Sequence, residues 1–176
     1  AASLPALTSV CGRLEIYAAA SLPALTSVSG WLYNYAAASL PALTSVGRGL
    51  YIRAAASLPA LTSVGGRLEI YAAASLPALT SVGGQRIRPK KECAALLRAV
   101  ADAALRPGSL EMSNIHTCKT THCLAGWACV LHPDGPALEK EIGAISAGAV
   151  LLGAEAASKF FVTNDEARKY LQEIPT

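Results

Sequence analysis

The chain has 176 residues, of which 52% are hydrophobic, and carries 15 Lys and Arg against 12 Asp and Glu. This length suits one or two small domains, and the hydrophobic content allows a buried core and excludes a disordered chain. The sequence contains no run of about 18 apolar residues, which excludes a membrane span of the ordinary helical kind. A net charge of +3 is too small to indicate nucleic-acid binding, and five cysteines do not describe a disulfide-dense scaffold.

Charge and cysteine content divide the chain near residue 90. Up to Lys91 the sequence carries eight basic and two acidic residues, whereas beyond it there are seven basic and ten acidic ones. Four of the five cysteines and all three histidines lie in the second part. The basic, proline-containing stretch Arg86–Lys91 is typical of a junction. We expect a repeat domain over residues 1–88 and a helical, Cys/His-containing capping domain over residues 89–176.

The first part is an 18-residue repeat. The octapeptide Ser-Leu-Pro-Ala-Leu-Thr-Ser-Val occurs five times, and Gly-rich, strand-like and Ala-rich segments complete the unit. Self-similarity at a fixed period indicates stacked supersecondary units, and 18 residues are too few for two helices and their turns. The run Arg67–Tyr71 alternates polar and apolar residues, as a half-buried strand does. We predict five β-solenoid coils about 4.8 Å apart.

Repetition also predicts which side chains are buried. Like residues of successive coils should stack, with the Thr row as a polar turn row and Asn34 as a buried amide that needs a backbone partner in a neighbouring coil. The last copy has Arg86 where Leu68 predicts a leucine, so the solenoid should end or lose register there. The residues expected to point inward in the second copy are Leu22, Leu25, Val28 and Leu32.

The repeat segment Leu-Thr-Ser-Val-Gly-Gly-x-Leu-x-Ile resembles the repeat of receptor L domains and of short leucine-rich-repeat-like proteins from bacteria and phages. The resemblance covers residues 3–88, about half of the chain. It implies a right-handed solenoid that binds partners through an exposed strand face. Because such scaffolds host many ligands, the resemblance supports the fold more than a particular function.

Variation among the copies is concentrated at the outward positions of the strand. Trp, Tyr and Arg are frequent there, and these residue types are enriched at binding hot spots. The same pattern is also explained by aromatic ladders that stabilise a sheet through cross-strand pairs. The candidate binding face comprises Arg13, Glu15, Tyr17, Trp31, Tyr33, Tyr35, Tyr51, Arg53, Arg67, Glu69 and Tyr71.

The partner expected for this face is a protein, with a glycan as second choice. Nucleic acid is disfavoured because Glu15 and Glu69 would repel phosphates and the face has few cations. An open solenoid end normally needs a cap, so end-to-end self-association is a further hypothesis. The sequence starts inside a repeat unit, and further residues upstream are expected.

The second part shows helical periodicity. We predict helices over Glu92–Leu105, over His122–Leu131 with Thr121 as its cap, over Ala137–Leu152 and over Ala154–Phe161. A capping box that begins at Thr163 predicts a last helix to about Ile174.

Cysteines and histidines cluster between these helices. The pattern Cys-x-x-x-x-Cys-x-Ala-Gly-Trp-Ala from Cys118 resembles a signature of uncharacterised phage and bacterial domains, in which a preceding Met and a following Leu-Gly…Phe-Phe pair recur. Met112, Leu152-Gly153 and Phe160-Phe161 match that pattern. The resemblance covers about residues 92–174 and implies no particular activity.

Four interpretations of the cluster remain open. The cysteines could be small buried hydrophobes, or Cys118 and Cys123 could form a disulfide. Zinc could be held by His116, Cys118, His122 and Cys123, although their spacing differs from that of ordinary zinc fingers. Cys123 could be a nucleophile at a helix N-terminus with His116 or His132 as its base.

The sequence therefore predicts an α+β protein with a leucine-rich-repeat-like solenoid followed by a small all-α domain. The function predicted is non-catalytic recognition or assembly in a phage-related, cytoplasmic or virion-associated setting, without a cofactor. The alternative is a cysteine-dependent enzyme or a zinc-binding domain.

Overall fold

The computed structural model describes residues 2–72 and 74–175. It divides into two compact units, one ending at Arg86 and the other beginning at Ile87. The first unit is a β-solenoid of about four turns and the second is a helical region, so the predicted α+β class is confirmed.

Each solenoid turn contributes short strands to three sheets, and the repeated strands pair in parallel with their equivalents 18 residues away. The first sheet consists of β1 (Ala2–Ser3), β4 (Ala20–Ser21), β7 (Ala38–Ser39), β10 (Ala56–Ser57) and β13 (Ala74–Ser75). The second contains β2 (Ser9–Val10), β5 (Ser27–Val28), β8 (Ser45–Val46), β11 (Ser63–Val64), β14 (Ser81–Val82) and the antiparallel β15 (Gln85–Arg86). The third consists of β3 (Leu14–Ile16), β6 (Leu32–Asn34), β9 (Leu50–Ile52) and β12 (Leu68–Ile70).

The Thr row holds the turns in this register. The amide of Thr26 donates to the carbonyl of Thr8 at 2.8 Å, and its hydroxyl donates to the same carbonyl at 2.9 Å. The hydroxyls of Thr44, Thr62 and Thr80 repeat this contact one turn further along at 2.9–3.0 Å. The threonines are therefore the hydrogen-bonded polar turn row that the sequence predicts.

The apolar residues of the repeat fill the solenoid interior. Leu22, Leu25, Val28 and Leu32 are all buried, as predicted, and their equivalents in later turns are buried as well. Because each interior residue stacks on a copy of itself, a single side-chain volume is repeated along the core. The core is therefore a set of columns of like residues.

Asn34 interrupts one of these columns. It is buried between Ile16 and Ile52 of the neighbouring turns. Its amide nitrogen donates to the carbonyl of Ala54 at 3.1 Å, which is the predicted backbone partner. Within the described part of the chain its Oδ1 atom has no hydrogen-bond partner. An unsatisfied buried acceptor costs about 1–3 kcal/mol.

Replacing this amide should therefore stabilise the solenoid. We expect Asn34→Ile to raise the free energy of unfolding by about 1–2 kcal/mol, because isoleucine continues the column and removes the unsatisfied oxygen. Urea denaturation followed by far-UV circular dichroism measures the change. The matched control, Ile52→Asn, places an amide one turn further along and should lower the stability; equal stability of both variants would contradict the argument.

The solenoid ends as the departure at Arg86 predicts. The strand β15 turns back and pairs antiparallel with β14, with Gln85 opposite Val82. The third sheet thus has four strands, and the solenoid has about four turns rather than the five coils expected from the five octapeptides. The Gly83-Gly84 pair has φ angles of 60° and 75°, a conformation that glycine adopts without strain and that permits this reversal.

The second unit contains five helices among its described residues and a two-stranded antiparallel hairpin. The predicted helical domain is confirmed, and the short hairpin is an element that the sequence analysis did not predict. Its elements are α1 (Lys90–Ala104), β16 (His116–Cys118), β17 (Thr121–His122), α2 (Leu124–Leu131), α3 (Gly135–Ile142), α4 (Ala144–Ala157) and α5 (Asn164–Gln172).

Helix boundaries differ from the predicted ones where backbone geometry overrides periodicity. The predicted helix over Ala137–Leu152 is two helices, because Gly143 between them has a φ of 85°. Gly153 has a φ of 87° and a non-helical backbone, so it separates two helical segments within α4, at the predicted boundary between Leu152 and Ala154. Cys123, not Thr121, caps α2, and the capping box at Thr163 is present as predicted.

The core of this unit forms around α2 and α4. It includes Val100, Leu124, Leu151 and Phe160, all of which are buried. In the part of the chain that the structure describes, no helix has the length and apolar character needed to span a membrane.

Candidate functional site

The third sheet of the solenoid exposes alternate side chains. The central residue of each strand is aligned with that of the next, whereas most of the flanking strand residues are buried in the interior. Side chains just before and just after each strand contact the central ones. We call this surface the tyrosine face, and it comprises Arg13, Glu15, Tyr17, Trp31, Tyr33, Tyr35, Tyr51, Arg53, Arg67, Glu69 and Tyr71.

The tyrosine rings lie parallel to one another across the strands. Tyr33 stacks on Tyr51 with ring centroids 4.7 Å apart and an angle of 6° between the planes. Tyr17 stacks on Tyr35 at 4.9 Å and 3°. The rings of Tyr33 and Tyr35 are also nearly parallel, with centroids 6.1 Å apart and an angle of 8° between the planes. Many of the flat ring surfaces are therefore covered by neighbouring rings of the tyrosine face. The ring edges and the hydroxyl groups remain available to a binding partner.

Trp31 lies beside this ladder, tilted by 37° with its ring centroid 5.7 Å from that of Tyr51. Its six-membered ring occupies the space above Gly49, where an added Cβ atom would be 2.2 Å from Cζ3 of the indole. The absence of a side chain at Gly49 therefore provides the space for the Trp31 indole, and we call this position the seat of Trp31. The sequence analysis did not single out Gly49. It lies 18 residues after Trp31, the only tryptophan of the solenoid, and this spacing places the two residues side by side in neighbouring turns.

Charged groups at the edges of the face are paired within it. Arg13 forms an ion pair with Glu15, and its guanidinium lies 4.5 Å from the ring centroid of Tyr33. Arg67 lies 3.6 Å from Glu69. The guanidinium of Arg53 lies 4.8 Å from the ring centroid of Tyr71. Such pairing leaves little net charge to attract a polyanion.

The phenol hydroxyls of Tyr17, Tyr51 and Tyr71 remain protonated at neutral pH. A hydrogen bond to Glu15 raises the pKa of Tyr17, and one to Glu69 raises the pKa of Tyr71. Burial, followed by the negative charge of Glu69, raises the pKa of Tyr51. The hydroxyls therefore act as neutral donors and acceptors.

Substitution of the seat should displace the indole. We expect Gly49→Ala to shift the indole Nε1–H resonance of Trp31 and to lower the stability by about 1–3 kcal/mol through overpacking. Heteronuclear NMR spectra, with Trp31→Phe to assign the resonance, provide the measurement. Gly12→Ala is the matched control, because a Cβ at Gly12 meets nothing within 4 Å. An unshifted resonance in Gly49→Ala would contradict the seat.

The proposed nucleophile Cys123 is enclosed. It is 2% exposed, its Sγ accepts a hydrogen bond from the Gly126 amide at 3.4 Å, and burial raises the pKa of its thiol. Neither His116 nor His132 is hydrogen-bonded to that thiol in the described part of the chain. His132 instead contacts Arg88 at 2.9 Å through Nε2 and accepts from the Asp134 amide through Nδ1.

Cys118 is the cysteine with the thiolate character. It is exposed, and hydrogen bonds from the side chains of Thr120 and Thr121 lower the pKa of its thiol to about 7. Burial raises the pKa of Cys129 to about 12. Cys118 and Cys123 are not bonded to each other, so the suggested Cys118–Cys123 disulfide is absent from this structure.

Alkylation should separate these thiols. At pH 7 about half of Cys118 is thiolate, roughly 15-fold more than an ordinary cysteine, so iodoacetamide should modify it quickly while Cys123 and Cys129 stay protected. The Cys118 rate should rise from pH 6 and level off above pH 8, as followed by peptide-resolved mass spectrometry. Urea-unfolded protein is the control, and fast selective labelling of Cys123 would instead support a catalytic cysteine.

The candidate zinc ligands are only partly brought together. Nδ1 of His116 lies 2.8 Å from Nδ1 of His122, whereas Cys118 contacts Thr120 and Cys123 contacts Gly126. Over residues 2–72 and 74–175, no group of three or more His, Cys, Asp or Glu side chains is arranged to hold a metal ion. Sequence reasoning missed Glu139, which contacts His116 at 2.9 Å from 23 residues away.

No protein-family model matches the chain, and neither a curated protein nor a solved structure is significantly similar to it. The solenoid and the helical unit are therefore established by the structure, and the leucine-rich-repeat-like and phage resemblances gain no support from these comparisons.

Proposed function

We propose that this chain is a non-catalytic recognition protein that binds a protein partner through the tyrosine face. The observation that carries the proposal is the aromatic ladder on the third sheet, in which the stacked rings of Tyr17 and Tyr35 are 70% and 37% exposed. A contiguous exposed aromatic patch is typical of an interaction surface.

Stability alone is an incomplete explanation of this ladder. Cross-strand pairs contribute about 0.2–1 kcal/mol each, which gives Tyr33 and Tyr51 a structural role. The same stacking continues to Tyr17 and Tyr35, which bury little surface. The indole of Trp31 occupies the space that Gly49 leaves open in the next turn. A smaller side chain at position 31 would be compatible with the sheet and would not require a glycine there. Recognition explains these additional features.

A protein partner fits this surface better than a sugar or a base. Sugars and bases bind aromatic side chains by stacking on open ring faces, and here the neighbouring rings cover many of those faces. Ring edges, hydroxyl groups and the indole remain, and these groups contact protein surfaces well. A nucleic acid is disfavoured for a further reason: Arg13 and Arg67 are paired with glutamates, which reduces the positive charge available to phosphates.

The ladder also offers a rigid surface. Tyrosine has few rotatable bonds, and a ring held between two others loses little further entropy on binding. The ion pair Arg13–Glu15 and the hydrogen bond between Tyr17 and Glu15 fix the rim of the face. Preorganisation of this kind lowers the cost of forming an interface.

The wider setting is part of the same proposal. The resemblance of the repeat to leucine-rich-repeat-like proteins, and of the Cys/His segment to phage domains, supports a phage-related interaction or assembly role. Stacking of one solenoid end on another would be a second way to assemble. Analytical ultracentrifugation tests that addition, since a monomer at all concentrations would rule it out.

Capture experiments test the tyrosine face. We expect the double variant Trp31→Ala, Tyr33→Ala to lose the proteins that the immobilised wild-type chain captures from candidate host lysates, because it removes the indole and the centre of the ladder. Quantitative mass spectrometry of the captured proteins is the readout, followed by titration of the leading candidate in purified form.

The matched control is Thr44→Ala, which removes a hydrogen bond between turns without touching the tyrosine face. It should weaken the solenoid and retain capture. Equal capture by all three proteins would overturn the proposal. Binding to an immobilised glycan panel in place of purified proteins would overturn the choice of a protein partner.

A further inference from the structure

The hairpin histidines form a short chain of polar contacts in the second unit. His116 lies on β16 and His122 on β17, and their Nδ1 atoms are 2.8 Å apart. The remaining nitrogen of each ring has its own partner. Nε2 of His116 lies 2.9 Å from a carboxylate oxygen of Glu139 on α3, and Nε2 of His122 lies 3.2 Å from the carbonyl oxygen of Lys119.

The protons of this chain can be assigned from the partners. A backbone carbonyl only accepts, so Nε2 of His122 carries a hydrogen. A carboxylate also only accepts, so Nε2 of His116 carries one as well. A neutral imidazole has one N–H, and both rings have therefore used theirs. Two bare Nδ1 lone pairs then face each other, and this arrangement requires a positive species between them.

We propose that the two Nδ1 atoms of His116 and His122 bind one late first-row transition-metal dication, such as Zn²⁺ or Cu²⁺, with water molecules as the remaining ligands. Imidazole nitrogen suits these ions, whereas Mg²⁺ and Ca²⁺ prefer oxygen ligands. The ligand set differs from the four residues suggested by the sequence, because Cys118 and Cys123 take no part.

The distances fit this assignment. Two nitrogens each about 2.1 Å from one ion lie about 3.0–3.4 Å apart when the angle at the metal is between 90° and a tetrahedral angle. The pair at 2.8 Å needs to open by only about 0.2–0.6 Å. Exposure of about a third of the His116 side chain gives water and the ion access to the pair.

The outer contacts are those of a metal-bound histidine pair. Histidine ligands usually donate their second N–H to a carboxylate or a backbone carbonyl, which fixes the tautomer and orients the ring. Glu139 and the carbonyl of Lys119 are partners of these two kinds.

A close approach of α2 also keeps the pair in place. An added Cβ atom at Gly126 would lie 2.2 Å from the Ile115 carbonyl oxygen and 3.2 Å from Cε1 of His116. Trp127, one residue further along α2, packs edge-on against His122 with ring centroids 4.6 Å apart. A bound ion would thus fasten the two strands of the hairpin beside a tryptophan that can report on it.

Fluorescence titration of the full chain with CuCl₂ and ZnCl₂ tests the site. Cys11→Ser and Cys118→Ser remove the exposed thiols that would compete for metal, and Trp31→Phe leaves Trp127 as the reporter. We expect one equivalent of Cu²⁺ to quench Trp127 and Zn²⁺ to compete with it. The Nδ1 resonances of both histidines should shift in nitrogen-15 spectra when Zn²⁺ binds.

Matched variants decide the ligands. His116→Asn should lower the Cu²⁺ affinity by about 100-fold, and Glu139→Gln by about 10-fold, as loss of a ligand and of an outer partner would. His132→Asn, a histidine outside the pair, should leave the affinity unchanged. Circular dichroism verifies that His116→Asn remains folded. His116 is the primary position for substitution because its side chain is partly exposed, whereas His122 is buried.

Three results would overturn the proposal. These are binding no tighter than about 1 mM, an affinity that His116→Asn leaves unchanged, and nitrogen-15 spectra in which a proton stays between the two Nδ1 atoms at saturating Zn²⁺. The last result would assign the positive species to a shared proton. None of these measurements involves the tyrosine face, so the two proposals can fail separately.

Discussion

Register at 18 residues is the constraint on which the solenoid and its surface depend. Each turn is hydrogen-bonded to the turn before it through equivalent residues, as in the contact of Thr26 with Thr8 and of Thr44 with Thr26. A shift of one residue would exchange interior and exterior positions in every strand. Because like meets like in this register, a few differences between copies become a continuous surface, and Tyr33 meets Tyr51 only for this reason.

The repeat made the solenoid predictable, because the environment of one copy is supplied by the next. The buried residues, the Thr row, the partner of Asn34 and the loss of register at Arg86 all follow from that argument. The Cys/His segment offered no such help. Thr121 is a good capping residue by type, but its hydroxyl donates to the carbonyl of Gly108 and Cys123 takes the cap. The hairpin and the start of α2 depend on contacts between residues that are distant in sequence, such as Thr121 and Gly108.

The structural role of the tyrosine face and the recognition role proposed for it support each other. Stacking on neighbouring rings fixes each tyrosine, and a fixed side chain loses less entropy when a partner binds. The same stacking limits the chemistry of the partner, because it covers ring faces and leaves edges and hydroxyl groups. Residue types alone suggested either a sugar or a protein. The orientation of the rings, which the sequence does not encode locally, favours a protein surface.

Asn34 and the histidine pair show how the surroundings of a polar atom decide what that atom can do. Oδ1 of Asn34 is enclosed between isoleucines, so no ligand reaches it and its cost falls on stability. The facing Nδ1 atoms of the histidine pair differ, because His116 is partly exposed and both outer nitrogens already have acceptors. An accessible pair of lone pairs, held by outer partners, is suited to a cation, and the same reasoning separates a strained interior from a binding site.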